Sequence, residues 1–444
     1  MLFPSLAVAW LVLVVAVPGT WAAAERALTL AECLALARDK NPGLGAARER
    51  IRELTADYEA TRARFFPRVT LISYYQRVDP NRLSPGGAGT TQKLFGREGL
   101  TSLTGRQLIF DGLKTYYATR AALLGAKAQE YDVARAADEV TYLVTEAFYR
   151  LLEAKEGVRV AETAVQERRA FIELTEAFFR AGKITQVDVA KARSQLLEAE
   201  QGLAEAHSAM RLAREILARS IGPEEGAEMD IQGKFSPATE PAGDFADLWR
   251  QAETANPEIK RLKTELAQSR ALLQAARGGY FPEISLQGST GVRHRDVGGT
   301  REEWLAGVFM EFPLFEGGLT RAQVAKAASQ HRQTQERQRD RLNSLRVELL
   351  SAWKIMEDAR QGVAAARQNL AASEEAYRSA LALYRVGKAT GLDVLTAEVE
   401  LTRARLGQLR YRVAYEIGRA KVKQLVGGQD GEAGPPWPRP GEGP

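Results

Sequence analysis

The sequence predicts a mostly helical α+β fold in which one structural unit occurs twice, each copy holding a long helical hairpin and a pair of β-strands. Three observations predict this fold. Short markers recur in the same order in both halves of the chain. Each half contains a very long run without proline whose apolar residues follow helical spacing. Ahead of each run, apolar and polar residues alternate with the period of a strand.

The composition and charge pattern argue against an enzyme and against a nucleic-acid-binding protein. The 444 residues carry a net charge of +5, and 26% of them are charged. Glu and Arg alternate along the helical runs, which is typical of solvated helix faces and not of a basic patch for nucleic acid. His207, His294 and His331 are isolated, so we expect no catalytic, metal or cofactor site. Cys33 is the one cysteine, and we expect it to be a small buried helical residue.

The chain divides into five predicted segments. Residues 1–24 form an apolar stretch that ends in small residues, the pattern of a signal peptide for secretion. A first structural repeat is expected over 25–220 and a second over 244–427, with a linker at 221–243 between them. The tail, 428–444, is rich in Pro and Gly and is predicted to be disordered.

Four sequence markers define the duplication. Two recur at an offset of 215 residues: Asn41-Pro42 with Asn256-Pro257, and Phe66-Pro67 with Phe281-Pro282. Two more recur at an offset of 205 residues: Phe110-Asp111-Gly112 with Phe315-Glu316-Gly317, and Gly182 with Gly387. The second copy is therefore ten residues shorter between Phe281 and Phe315, which places an exposed loop there.

The longest predicted helix runs from Leu113 to Arg180, a segment without proline. Its apolar residues step by four and three, as in the seam of a packed coiled coil, and the same stripe recurs at an offset of 205. At 1.5 Å per residue such a helix is roughly 100 Å long. The two stripes are Val140, Val144, Ala147, Leu151, Ala154 and Val158, and Leu345, Leu349, Ala352, Met356, Ala359 and Val363.

Each long helix is predicted to reverse at a repeated turn, "FRAGKITQVDV" in the first copy and "YRVGKATGLDV" in the second. The Gly-Lys-x-Thr core is not a phosphate-binding loop, because that motif needs a further glycine and a preceding strand. Gly182 and Gly387 instead supply the permissive backbone that ends each outgoing helix.

The residues after these glycines predict the start of the returning helices. Thr185 and Thr390 are placed to cap them, and Asp188 and Asp393 follow in the first turn, where the helix dipole favours a carboxylate. The returning helices are expected to extend to about residues 220 and 425.

The strands are predicted between each Phe-Pro marker and the long helix. "PRVTLISYYQRV" and "LTGRQLIF" form one pair and "PEISLQGSTGV" and "AGVFMEFPLF" the other, joined by loops at 79–99 and 295–303. One apolar and one polar face suit the wall of an outer-membrane barrel. The residues expected on the lipid side are Val69, Leu71, Ile284, Leu286, Val308 and Phe312.

Taken together in this order, the duplicated markers resemble those of the outer membrane efflux protein family, the TolC-like channel-tunnels. The resemblance implies a homotrimer in which four strands per chain build a twelve-stranded outer-membrane β-barrel and the helices form an α-barrel tunnel in the periplasm. It further implies two partners, a periplasmic adaptor and an inner-membrane pump. A periplasmic adaptor or a secreted structural coiled coil is the alternative for a chain with long hairpins.

The resemblance also implies a periplasmic gate at the hairpin tips. Asp188 and Tyr384 match two members of the family's lock between the two tips. The family's arginine is replaced by Ala389, with Lys388 beside it as a substitute.

In the best-known member of the family, two acidic rings line the opening. The resemblance implies that this sequence keeps only one of them. Asp393 supplies that ring, and Thr396 stands at the second position. Repulsion among three copies of Asp393 is expected to raise its pKa. The resemblance assigns adaptor docking to the same tips, at Gly182, Lys183, Gly387 and Lys388.

Overall fold

The computed structural model describes residues 27–77, 83–85, 91–93, 97–222, 230–237, 243–295 and 299–428. The predicted signal peptide, 1–24, and residues 429–444 of the predicted tail lie outside these ranges. Residues 223–229 and 238–242 of the predicted linker lie outside them as well.

The first repeat begins with two helices, continues into strands and ends in a long helical hairpin. Its first helices and strands are α1 (Leu30–Lys40), α2 (Pro42–Arg62), β1 (Arg68–Arg77), β2 (Leu83–Pro85), β3 (Thr91–Lys93) and β4 (Arg97–Phe110). The hairpin consists of α3 (Lys114–Arg180) and α4 (Gln186–Ile221).

The second repeat has the same order of long elements. They are α5 (Phe245–Ala255), α6 (Pro257–Arg277), β5 (Glu283–Arg295), β6 (Gly299–Glu311), α7 (Leu319–Arg385) and α8 (Gly391–Val426). The outgoing helices α3 and α7 contain 67 residues each, and the returning helices α4 and α8 contain 36 each. These equal lengths confirm the duplicated hairpins, each about 100 Å long. Within the described ranges, no helix has the length and apolarity needed to cross a bilayer.

The four long strands form one antiparallel sheet in the order β1-β4-β5-β6. The two repeats therefore meet where β4 pairs with β5, and β1 and β6 are the edges. β6 ends at Glu311 and not at Phe315, where the sequence placed its end, because Pro313 has no N–H to donate to a neighbouring strand.

The loops at the far end of the sheet are shorter than the sequence predicted. The first, 79–99, contains the antiparallel pair of β2 with β3 and also the start of β4. Its Pro and Gly residues concealed these strands from an argument based on alternation. The second, 295–303, is largely strand, since β6 begins at Gly299. Its charged residues pair across the sheet, as Glu303 does with Arg293 at 2.9 Å.

The two faces of the sheet differ in polarity as the alternation predicted. Cross-strand partners share a face, so Leu71 lies beside Leu103, and Leu286 lies beside Val308. In the single chain, Leu71 and Val308 are 67% and 70% exposed. Val69 and Ile284 share this apolar face, which confirms the predicted strand phase, although Phe312 follows β6 instead of lying in it. The opposite face carries Thr70, Gln76, Ser102, Thr104, Ser289, Arg293 and Glu303.

The predicted helical seams form the buried core. In the first repeat, Val144, Ala147 and Leu151 pack with Cys33 of α1 and Leu217 of α4. Burial raises the pKa of the Cys33 thiol to about 11, so the predicted small core residue is also an unreactive one. In the second repeat, the equivalent cluster is Leu345, Leu349, Ala352 and Met356, packed with Tyr415 and Val422 of α8.

The repeated Asn-Pro markers connect each short helix to the end of the returning helix. Asn41 caps α2 by accepting the Gly43 N–H at 2.9 Å, and its amide donates to the Ser220 carbonyl at 3.0 Å. Asn256 caps α6 and donates to the Leu425 carbonyl at 2.7 Å. One side chain therefore satisfies both a free N–H at a helix start and a free carbonyl at a helix end.

We expect an arginine on the apolar face of the sheet to be costly and one on the polar face to be tolerated. In the outer-membrane barrel that the resemblance implies, an arginine at a mid-membrane position costs about 2–4 kcal/mol. Leu286→Arg should therefore lower the yield of assembled protein in the outer membrane, whereas Ser289→Arg, on the same strand but the other face, should not. Quantitative immunoblots of membrane fractions measure the yield, and equal losses from both variants would contradict the assignment of the two faces.

Candidate functional site at the hairpin tips

Both hairpins end in the same helix-stop geometry. Lys183 N–H donates to the Phe178 carbonyl at 2.9 Å, and Lys388 makes the equivalent bond at 2.8 Å. This bond belongs to the Schellman motif, which requires a left-handed residue just after the helix. Gly182 and Gly387 provide it, with φ of 68° and 74°. Both predicted turn glycines are confirmed.

The returning helices begin with matching capping boxes. The Asp188 carboxylate accepts the Thr185 N–H at 3.0 Å and the Thr185 hydroxyl at 2.8 Å. The Asp393 carboxylate accepts both groups of Thr390 at 2.7 Å. The predicted caps are therefore confirmed, and each Asp satisfies an N–H at the end of its own helix.

The capping boxes lower the pKa of both carboxyl groups. The Thr185 N–H and hydroxyl hold the pKa of Asp188 below its ordinary value, and the Thr390 hydroxyl and N–H do the same for the pKa of Asp393. A lowered folded-state pKa means that the box stabilises the fold above the unfolded-state pKa and loses this effect as pH falls through the folded-state pKa. Within one chain, the pKa of Asp393 is thus shifted in the direction opposite to that expected from repulsion.

Tyr384 joins the two hairpins just above their tips. Its side chain is 4% exposed. Its ring centroid lies 5.3 Å from that of Phe171 and 5.4 Å from that of Phe178, both on α3. Val394 of α8 is buried in the same cluster. The matched tyrosine of the expected lock is therefore also a core residue of the tip.

The expected lock does not form within one chain. The Asp188 carboxylate is engaged by Thr185, while the Tyr384 ring lies in the apolar cluster. Between these two described residues the structure contains no hydrogen bond. Lys388 is exposed, and Ala389 packs against the Tyr384 cluster.

The tips present charges and apolar side chains to solvent. Asp393, Thr396 and Lys388 are exposed, and the Lys183 ammonium lies 5.4 Å from the centroid of the Phe178 ring. Val187, Val386 and Leu392 are 60%, 67% and 71% exposed. In the part of the chain that the structure describes, no group of three His, Cys, Asp or Glu side chains is arranged to hold a metal ion. This mixture of exposed apolar and charged side chains suits contact with another protein.

An ion pair that the sequence argument missed links the two hairpins above the tips. Arg168 of α3 donates to Glu398 of α8 at 2.9 and 3.0 Å and to the Gln195 carbonyl of α4 at 2.6 Å. The Glu398 side chain is only 3% exposed, and that of Arg168 is 12% exposed. The available signal was a glutamate in the apolar stripe of α8, between Val394 and Leu401.

Comparison with known proteins identifies relatives along most of the chain. The family model described as outer membrane efflux protein matches residues 33–223 and 248–428. Nodulation protein T of Rhizobium leguminosarum bv. trifolii is 25% identical over 55% of this chain and 53% of its own length. Cobalt-zinc-cadmium resistance protein CzcC of Cupriavidus metallidurans is 27% identical over 62% and 66%. The match thus spans about half of the first of these curated relatives and just under two thirds of the second.

Other similarities cover more of the chain. Outer membrane efflux protein BepC of Brucella suis biovar 1 is 24% identical over 89% of this chain and 87% of its own length. The crystal structure of CusC superposes with a TM-score of 0.78 at 19% identity, over 90% of this chain and 92% of that one. The open-state MtrE channel of Neisseria gonorrhoeae superposes with a TM-score of 0.76 at 21% identity, over 90% and 89%.

At such low identity, the solved structures show a shared fold: long paired helices joined to a small sheet. The family match adds the sequence relationship, since its two segments contain both hairpins and all four long strands. The chain belongs to the outer membrane efflux protein family.

Proposed function

We propose that this chain is the outer-membrane channel of a tripartite export system and acts as a homotrimer. The observation that carries the proposal is a four-stranded sheet with one apolar face and two open edges, continuous with helices about 100 Å long. Backbone groups of an open edge cannot be satisfied in lipid, so the sheet must pair with other sheets. Three chains of four strands each would close a barrel of twelve. The helices would then line a tunnel that leads to it.

The duplication supports the trimer by predicting which residues meet across chains. In a ring of six repeats, the contact between the first and second repeat of one chain recurs between its second repeat and the first repeat of the next chain. Phe178 and Tyr384 make such a contact within the chain. Their counterparts at an offset of 205 are Leu383 and Phe179, which are 45% and 44% exposed in the single chain. A neighbouring copy would cover both.

A second contact between the hairpins, farther from their tips, also has counterparts that are exposed in the single chain. The Lys421 ammonium lies 4.6 Å from the centroid of the Tyr142 ring, joining α8 to α3. The counterparts of these residues are Ile216 and Val347, which are 53% and 66% exposed. An apolar pair would therefore replace the cation–π contact between chains.

The alternatives account for fewer of these features. A periplasmic adaptor would use one hairpin with small β-domains, whereas this chain has two equivalent hairpins. A secreted structural coiled coil would have no use for a sheet with an exposed apolar face. The channel assignment uses both features and requires no catalytic residue.

Cross-linking tests the trimer directly. In a Cys33→Ala background, the pair Phe179→Cys and Leu383→Cys should yield covalent dimers and trimers with a short bismaleimide, because these positions face each other between chains. The matched control, Phe178→Cys with Tyr384→Cys, should react within one chain and remain a monomer on denaturing gels. Intramolecular reaction of the control without a ladder from the test pair would contradict the proposed assembly.

We assign cargo selection to the inner-membrane pump and docking to the hairpin tips. The names of different relatives mention cobalt-zinc-cadmium resistance, pyoverdine export and toluene efflux, so one channel architecture accompanies several cargoes. Gly182, Lys183, Gly387 and Lys388 form the turns that a periplasmic adaptor would contact. The exposed apolar side chains beside them suit a protein partner.

Valine at a turn glycine should weaken docking without preventing assembly. At Gly387 the φ of 74° strains any β-branched residue, at a cost of about 1–2 kcal/mol or more. Gly387→Val should therefore reduce copurification of a cross-linked periplasmic adaptor from the native host and leave the amount of membrane trimer unchanged. Gly202→Ala is the control, because an added Cβ there meets no atom within 4 Å. Normal adaptor recovery with valine at both Gly182 and Gly387 would contradict the docking role.

The gate is proposed to consist of Asp188, Tyr384, Lys388, Asp393 and Thr396. Three copies of Asp393 would form one acidic ring at the opening, which attracts cations and repels anions. Thr396 leaves the position of a second ring neutral, so we infer a weakly cation-selective entrance. The capping bonds from Thr390 support the charge of this ring, because they lower the pKa of Asp393.

Planar-bilayer conductance of purified protein tests the ring. Asp393→Asn should reduce cation selectivity, and Thr396→Asp should increase it. In the wild type, selectivity should persist as pH falls to the ordinary Asp pKa of about 3.9 and disappear below it, because the folded-state pKa is lowered. Loss of selectivity well above that pH would show that repulsion outweighs the cap. Unchanged selectivity in both variants would exclude Asp393 from the constriction.

A further inference from the structure

Like charges face each other within both β-hairpins at the end of the sheet that adjoins the helices. Arg68 of β1 lies directly opposite Arg106 of β4. Glu283 of β5 lies directly opposite Glu311 of β6. All four residues are on the polar face, because cross-strand partners share a face and Arg106 reaches Glu283. Like charges directly opposite each other destabilise a strand pair, so each hairpin needs compensation from outside itself.

Within the chain, one residue of each like-charged pair has a partner of opposite charge. Where the two hairpins meet, Arg106 pairs with Glu283 at 2.7 Å, with side-chain exposures of 56% and 47%. The other two members lie on the edge strands. Within the described part of the chain, no ion pair forms at Arg68 or at Glu311. The positive edge and the negative edge therefore lie on opposite sides of one sheet.

The internal repeat makes Arg68 and Glu311 the counterparts of the two residues in the ion pair between Arg106 and Glu283. Arg106 corresponds to Glu311 at the offset of 205, and Glu283 corresponds to Arg68 at the offset of 215. The contact between Arg106 and Glu283 should therefore recur between chains as Glu311 with Arg68, in the same geometry but with the charges exchanged. The second repeat carries a reversed sign at both positions, which preserves attraction at every junction.

We propose that Glu311 of one chain pairs with Arg68 of the next, which closes a belt of alternating pairs of positive and negative residues around the inside of the barrel. The partner is a second copy of this chain, and the inference rests on the proposed trimer. Each chain contributes two arginines and two glutamates, so three chains give six of each. The belt sets which edge meets which: β6 accepts β1 of a neighbour, whereas two β1 edges or two β6 edges would bring like charges together.

Charge reversal tests the belt in purified protein in detergent. Arg68→Glu and Glu311→Arg each replace an attraction between chains by a repulsion at all three junctions. Each single variant should lower the temperature at which trimers dissociate on unheated denaturing gels, by several degrees. The loss should shrink at high salt, because these side chains are exposed. The double variant should regain or exceed the wild-type value, since all twelve charges would then alternate in sign.

The design separates this pairing from general damage. Each single variant also turns a like-charged pair within a hairpin into an opposite one, so the sheet of each chain gains and does not lose attraction. Arg64→Glu makes the same charge change just before β1, outside the belt, and should leave the dissociation temperature unchanged.

The results of the charge-reversal experiment distinguish failure of the belt from failure of the proposed channel function. Rescue by the double variant supports the belt even if a single variant yields no trimer. Losses that add in the double variant, or single variants that match the wild type, would overturn the pairing while leaving the trimer intact. A wild-type protein that forms no trimer would instead overturn the proposed function.

Discussion

The unpaired backbone groups along β1 and β6 are the constraint on which the rest of the structure depends. A sheet with two free edges and an apolar face is not stable alone in water or in lipid. In the outer membrane, where the family is located, these edges must therefore be paired or covered. The helices that continue from β4 and β6 must then stand side by side as well, because the strands fix where each helix begins. In the proposed trimer, closure of the barrel would therefore also bring the helices together into a tunnel.

The connections from β4 to α3 and from β6 to α7 fix the direction of each long helix relative to the sheet. Gly112 and Leu113 have φ of 69° and 65°, and the equivalent Gly317 and Gly318 have φ of 61° and 88°. A Cβ on Gly112 would overlap the Gly278 carbonyl oxygen, so this position of the first repeat leaves no room for a side chain. Leu113 adopts a left-handed conformation that costs a non-glycine residue about 1–2 kcal/mol. Leu113 lies in the short connection between β4, which ends at Phe110, and α3, which begins at Lys114.

Most of the fold could be predicted because each marker of a helix, turn or cap occurs in both halves of the duplicated sequence. Helix lengths, turn glycines and caps followed from local chemistry, and the seam at Val144 and Leu349 followed from periodicity. The features that escaped prediction depend on a distant partner. The bond from Asn41 to Ser220 and the ion pair between Arg168 and Glu398 join segments that the sequence does not place side by side.

The candidate site was predicted less completely for a related reason. Sequence located the tips and their glycines and predicted a lock that includes Tyr384, but it did not predict that the Tyr384 ring also packs in a buried cluster. A side chain at a junction between repeats serves packing and contact at the same time. Periodicity and spacing do not describe such three-dimensional neighbours, so they cannot show both roles.

Differences between the two tips bear on the proposed gate, because folding alone explains the aspartate that both tips share. Asp188 and Asp393 cap their helices in the same way, so capping alone accounts for both carboxylates. One helical turn further on, the first tip has Lys191, whose charge acts on Asp188, whereas the second has Thr396. An ammonium group thus lies near the carboxylate of the first tip, whereas a neutral hydroxyl residue stands at the equivalent position of the second. In the proposed trimer, a ring of Asp393 would therefore lack the lysine that accompanies Asp188, although both repeats supply the same capped aspartate.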